Sequence, residues 1–209
     1  MTVKEGWRGR FFEDFEVGDV YEHALGRTIT TTDNIWFTLL TQNTAPIHFD
    51  HQYAAQTEFG KPLVNSCLTL ALVTGQSVSD VSQNVMANLG WDEVRLPHPV
   101  FEGDTIHSRS EVLEIRESRS RPNVGIVTVR TTGFNQDGTE VISFKRTALI
   151  YRKSAALQPV RKSAAMPPVR KSAAMQPVRK SAAMPPVRKS ATMPAVRRER
   201  KSSAEAPKL

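Results

Sequence analysis

The sequence predicts an α+β domain in which an antiparallel sheet curls around one apolar helix, followed by a disordered basic tail. Three observations carry this. Residues 65–82 hold Leu68, Leu70, Ala71, Leu72 and Val73, which wrap most of a helical circumference, as in a helix buried on nearly all sides. Runs of β-type composition then follow over 85–96, 105–116, 124–134 and 139–151. At Arg152 the composition changes abruptly and a nine-residue repeat begins.

Taken in order, residues 20–30 follow Asp14-Phe15-Glu16-Val17-Gly18-Asp19 and have strand composition ending in a Thr-rich turn. Thr31, Thr32 and Asp33 supply N-cap side chains for a short helix whose Ile35, Trp36, Leu39 and Leu40 share a face. A loop over 41–47 leads to His48-Phe49-Asp50, and Asp50 can cap a second short helix that stops at Gly60-Lys61-Pro62. The last two strands flank Asn135-Gln136-Asp137-Gly138, a four-residue turn signal. In the final strand Ile142, Phe144, Ala148 and Ile150 share one parity, and Arg146 is expected near solvent as the exception.

The tail is set apart by charge. Residues 1–151 carry 13 Lys and Arg against 19 Asp and Glu, a net −6, whereas 152–209 carry 15 against 2, a net +13. The repeats read RKSAALQPV, RKSAAMPPV, RKSAAMQPV, RKSAAMPPV and RKSATMPAV. Proline closes each unit, and no apolar side chain exceeds Met, so little burial offsets the entropy of ordering. The domain division is therefore 1–151 and 152–209. The tail is either a solvated extension produced by repeat expansion or a spaced polycation making weak, salt-sensitive contact with polyanions, and without aromatics it gives no support to base stacking. No stretch has the apolar length of a membrane span, so integral membrane association is not expected. The lone Cys67 fits a cytoplasmic protein without disulfides and is expected to be small and buried. His51, His98 and His107 lack metal-ligand company, and no metal is expected.

The segments FEDFEVGDVYEHALGRTIT, WFTLLTQNTAPIHFD, FGKPLVNSCLTLALV, NLGWDEVRLPHPVFEGDT and ESRSRPNVGIVTVRTTGFNQDG resemble, in the right order, the MaoC-like dehydratase family. These are the (R)-specific enoyl-CoA hydratases, and the branch of mesaconyl-CoA and itaconyl-CoA hydratases is the nearest in kind. The resemblance covers residues 11–152. It implies a hot-dog fold, an acyl-CoA substrate whose coenzyme A is no separate cofactor, and a homodimer or higher oligomer. It also implies addition or removal of water at an α,β-unsaturated thioester.

The family's signature places Asp five residues before His with a Pro between. Here the His and Pro positions are His48 and Pro46, but the Asp position is Asn43. An amide takes no proton from water, so the usual acid–base pair is altered. An imidazole still suits a base near pH 7. Asn43 is then expected to orient water or the acyl group, and Asp50 to assist His48, unless Asp50 is simply a helix cap. The resemblance places the thioester-polarising N–H groups at Asn65, Ser66 and Cys67, where a helix N-terminus presents unpaired donors. Arg119 and Arg121 are either a solvated turn or partners for the coenzyme A phosphates or a substrate carboxylate. An acyl-CoA thioesterase and a non-catalytic acyl-CoA-binding domain remain the alternatives, because one fold hosts all three.

Overall fold

The structure is a computed structural model that describes residues 2, 4 and 6–155. Two short strands open it, β1 (Val20–Glu22) and β2 (Arg27–Thr28), then helices α1 (Thr31–Leu40), α2 (His51–Ala54) and α3 (Ser66–Gln76). Four long strands complete it: β3 (Val85–Arg95), β4 (Thr105–Glu117), β5 (Val124–Phe134) and β6 (Glu140–Tyr151). The sheet is antiparallel in the order β1-β4-β5-β6-β3, with β2 also on β4. The residues between α3 and β3 include a π-helical segment, Val78–Ser82, so the expected single helix over 65–82 ends at Gln76.

Alternation dictates the strands. Along β6, Ile142, Phe144, Ala148 and Ile150 are buried on one face, as the parity predicts. The Asn135–Gly138 turn closes as expected: Asn135 Oδ1 accepts from the Asp137 and Thr139 N–H groups, and Gly138 takes φ 77°. Helix α3 crosses the sheet so closely that a Cβ on Gly133 would lie 2.8 Å from Val73 and from Ile142. Val73 is fully buried there, a placement worth about 1.5–3 kcal/mol for an aliphatic side chain.

Three expectations are corrected. Helix α3 is not buried all round: Thr69 and Val73 are buried against the sheet, while Cys67, Ala71 and Gly75 face outward. Six strands cover only one side of the helix, so an all-apolar circumference leaves one apolar face open. Cys67 lies on that face and is exposed rather than buried. Arg146, expected near solvent, is 2% exposed. Its Nη2 donates to Ser77 Oγ at 3.0 Å and Ser82 Oγ at 3.3 Å, just past the C-terminal end of α3 where the helix dipole favours a cation. Burial lowers its guanidinium pKa to about 10.

The described residues continue past residue 151. Lys153–Ala155 form a 3-10 turn, and the Arg152 guanidinium lies 4.8 Å from the Phe12 ring centroid while pairing with Glu13 and Glu117. Lys153 pairs with Asp14, and its N–H donates to Glu13 Oε2 at 3.0 Å. Phe12 in turn sits on Gly125, where a Cβ would meet its ring at 2.0 Å. The remainder of the expected tail, 156–209, lies outside the described residues, as do its repeats and any polyanion contact. Among the described residues no helix is long and apolar enough to cross a membrane.

Candidate functional site

Local rules carry the chain from α1 to His48. Thr30 and Asp33 cap α1 reciprocally: Thr30 Oγ1 accepts from the Asp33 N–H, and Asp33 Oδ2 from the Thr30 N–H. The helix ends with the Gln42 N–H on Leu39 O, the Asn43 N–H on Thr38 O and Gln42 at φ 57°, the left-handed exit usually given to Gly. That reversal sends residues 43–48 back over α1. Pro46–His48 form a 3-10 turn that delivers His48 to the strand-like segment at Leu63, whose N–H donates to Ile47 O.

His48 Nδ1 lies 2.8 Å from the Leu63 carbonyl oxygen. A carbonyl only accepts, so Nδ1 carries the proton and, in the neutral ring, Nε2 keeps its lone pair. The side chain is only partly buried. Two residues on, α3 begins. Asn65 caps it through Oδ1, which accepts from the Cys67 N–H at 3.0 Å, and its Nδ2 donates to Thr38 Oγ1 at 3.3 Å. Of the three expected donors, the Asn65 and Cys67 N–H groups are engaged by Asn34 Oδ1 and Asn65 Oδ1, and the first-turn N–H of Ser66 has no hydrogen-bond partner among the described residues. Ser66 lines a cavity of about 260 Å³ whose walls include Phe59, Leu63, Thr69 and His98. A second cavity, about 720 Å³, opens between residues 24–27 and the C-terminal half of α3.

The other expected residues fall differently. Asn43 Oδ1 accepts from the Ala45 N–H at 2.9 Å in a local turn and does not touch the imidazole. Asp50 Oδ1 accepts from the Gln52 and Tyr53 N–H groups, which makes it the cap of α2, and it has no hydrogen bond to His48. Arg119 and Arg121 lie between β4 and β5. The opposite end of β4, Thr105, adjoins the His48 end of the sheet, and thirteen residues of strand put roughly 40 Å between them. Within one chain, then, His48 and the Asn65–Cys67 turn come together, whereas Arg119 and Arg121 do not join them. Among the described residues no cluster of His, Cys, Asp and Glu has metal-binding geometry.

Two residues beyond those expected complete the arrangement. Asn34 is fully buried: its Nδ2 donates to His48 O at 2.9 Å and Leu63 O at 3.2 Å, and its Oδ1 accepts from the Asn65 N–H at 2.9 Å. Glu102 reaches the same amide with Oε1 at 3.4 Å and accepts from Thr31 Oγ1 with Oε2 at 2.6 Å. The only sequence signal for Asn34 is its place four residues before Thr38, which puts both on one face of α1.

A family model for mesaconyl-CoA hydratase matches residues 2–171. Mesaconyl-CoA hydratase of Cereibacter sphaeroides is 33% identical over 148 residues, 71% of this chain and 43% of that protein. The chain thus spans less than half the length of that relative. A protein of Chloroflexus aurantiacus described as a MaoC domain dehydratase superposes with a TM-score of 0.69 at 30% identity, covering 76% of this chain and 45% of that one. A Mycobacterium tuberculosis protein with a double hot-dog fold superposes at 0.65 and 25% identity, over 72% and 47% of the two chains.

Proposed function

The chain belongs to the mesaconyl-CoA hydratase family of MaoC-like, hot-dog-fold proteins, and from that premise we propose that it adds water to, or removes it from, an α,β-unsaturated acyl-CoA thioester. The observation that carries the proposal is the His48 imidazole, protonated at Nδ1 by its bond to Leu63 O and set beside the first turn of α3.

In the hydration direction Nε2 takes a proton from water as the water oxygen bonds to Cβ. Electron density moves to the thioester oxygen, where the Ser66 N–H and the helix dipole meet the developing charge. The resulting enolate then takes a proton at Cα, which His48 can return. Coenzyme A is part of the substrate, and the reaction requires neither a metal nor a redox cofactor. Asn43 holds its loop through Ala45 and keeps its amide N–H groups free to orient water or the acyl group. In this reading the acyl chain is a branched or dicarboxylic one such as mesaconyl or itaconyl, and the reaction takes place in the cytoplasm.

The active form in this reading is a homodimer. The part of this chain that matches these relatives is a little under half of their length, and one of them has two hot-dog units. The single chain leaves Leu89 and Trp91 exposed on edge strand β3, next to the open face of α3. A second copy on that edge supplies the second unit.

The test incubates the full chain with crotonyl-, mesaconyl- and itaconyl-CoA, following loss of the conjugated thioester absorbance together with free thiol. Absorbance loss without thiol release, abolished in His48→Ala, is expected. Thiol release instead makes the protein a thioesterase, and binding without turnover makes it an acyl-CoA-binding domain.

A further inference from the structure

We propose that Asn34 is the positioning residue that registers His48 against the first turn of α3. The inference rests on the hydratase reading for its kinetic consequence, but not for its structural content. A primary amide offers two N–H donors and one carbonyl acceptor. In Asn34 these tie together three segments that are 14, 29 and 31 positions away: the His48 carbonyl, the Leu63 carbonyl and the Asn65 N–H. Thr38, one helical turn on and equally buried, takes the Asn65 side chain from the same face of α1.

Two features separate this from ordinary satisfaction of buried polar groups. The Leu63 carbonyl accepts from both Asn34 Nδ2 and His48 Nδ1, so the group that sets the imidazole tautomer is itself held by Asn34. The Asn65 residue held by Asn34 Oδ1 is the N-cap of α3, so the same amide locates the Ser66 N–H that follows it. Asn34 therefore sets the offset between the His48 imidazole and the Ser66 N–H. Displacement of about 1 Å between such groups costs on the order of 10²-fold in rate. Asp is a poor replacement despite its shape, since an ionised carboxylate accepts at both oxygens and would face the two carbonyls it must bond.

The experiment uses the full chain as wild type, Asn34→Ser and Asn34→Asp. The first readout is long-range ¹H–¹⁵N NMR of the imidazoles across pH, which reports His48 tautomer without reference to activity. Wild type is expected to show one dominant Nδ1–H tautomer for neutral His48, and the variants a mixture. The second readout is enoyl-CoA hydration, where kcat should fall 10- to 100-fold with KM changed less than 3-fold. A dominant Nε2–H tautomer in the wild type overturns the proposal even if neither variant folds. So do folded variants that keep the wild-type tautomer and kcat. Tautomer mixing in the variants of a protein that hydrates no enoyl-CoA upholds the positioning role and removes the hydratase reading.

Discussion

Two of the five histidines, His23 and His48, sit under opposite arrangements. His23 has a wholly buried side chain with both ring nitrogens engaged: Nδ1 is 2.9 Å from Asp80 Oδ2, and Nε2 is 2.9 Å from Ser110 Oγ, which continues to Thr131 Oγ1 at 2.8 Å. Arg10 closes the network on Asp80 at 3.2 Å. His48 has Nδ1 held by a carbonyl and lies in a partly exposed setting. A Ser–His–Asp sequence of contacts thus occurs at the site without an opening, where Ser110 is fully buried. Partner count and access, rather than residue type, separate the two: His23 is tied into a closed network, and His48 is the one the proposed reaction uses.

The comparison breaks most sharply under substitution. His48→Ala should lower turnover by about 10² to 10⁴-fold while leaving the thermal midpoint nearly unchanged, as kinetics beside a melting curve will show. His23→Ala should do the reverse. It strands the buried Ser110–Thr131 pair and opens a cavity, costing roughly 2–4 kcal/mol by denaturant unfolding, with specific activity of the folded fraction retained.

Acid sharpens the contrast. Burial opposes ionisation of Asp80, but hydrogen bonds from His23 and Arg10, with the nearby positive charge, outweigh it and hold the carboxyl below its ordinary range. The stabilisation linked to Asp80 is therefore present in full above about pH 4, the unfolded value, and is lost as pH falls through the depressed folded one. Asp80→Asn should flatten that limb of a stability–pH curve. The smallest effect belongs to Asp50→Ala, which should cost about 1 kcal/mol as a lost N-cap and change kcat less than twofold. A large loss of kcat there would restore Asp50 as a partner of His48.

Legibility followed the range of the interactions. The four long strands, the Asn135–Gly138 turn and the cap at Asp50 are set by neighbours within a few positions, and all were readable. His48 was singled out because its flanking residues match a family, not because spacing marks a proton acceptor, and its role rests on the proposed reaction. Asn34 was not readable, since its partners lie far away in sequence and an Asn in the first turns of a helix looks like a solvated residue. The open face of α3 and the burial of Arg146 were misread for a related reason. Hydrophobicity reports which residues avoid water, but not whether the covering surface comes from the same chain or where a helix end waits for a cation.

The Arg152–Lys153 pair links the end of β6 to the turn at Phe12–Asp14 and to Glu117, and every repeat unit opens with the same two residues. Loss of any whole unit from the array, the first included, returns Arg-Lys to the position directly after Tyr151. Slippage during replication of so regular a stretch can therefore change the copy number without disturbing the seam that closes the domain. A cut at Tyr151 would instead leave Glu13, Asp14 and Glu117 without the two cations that pair with them.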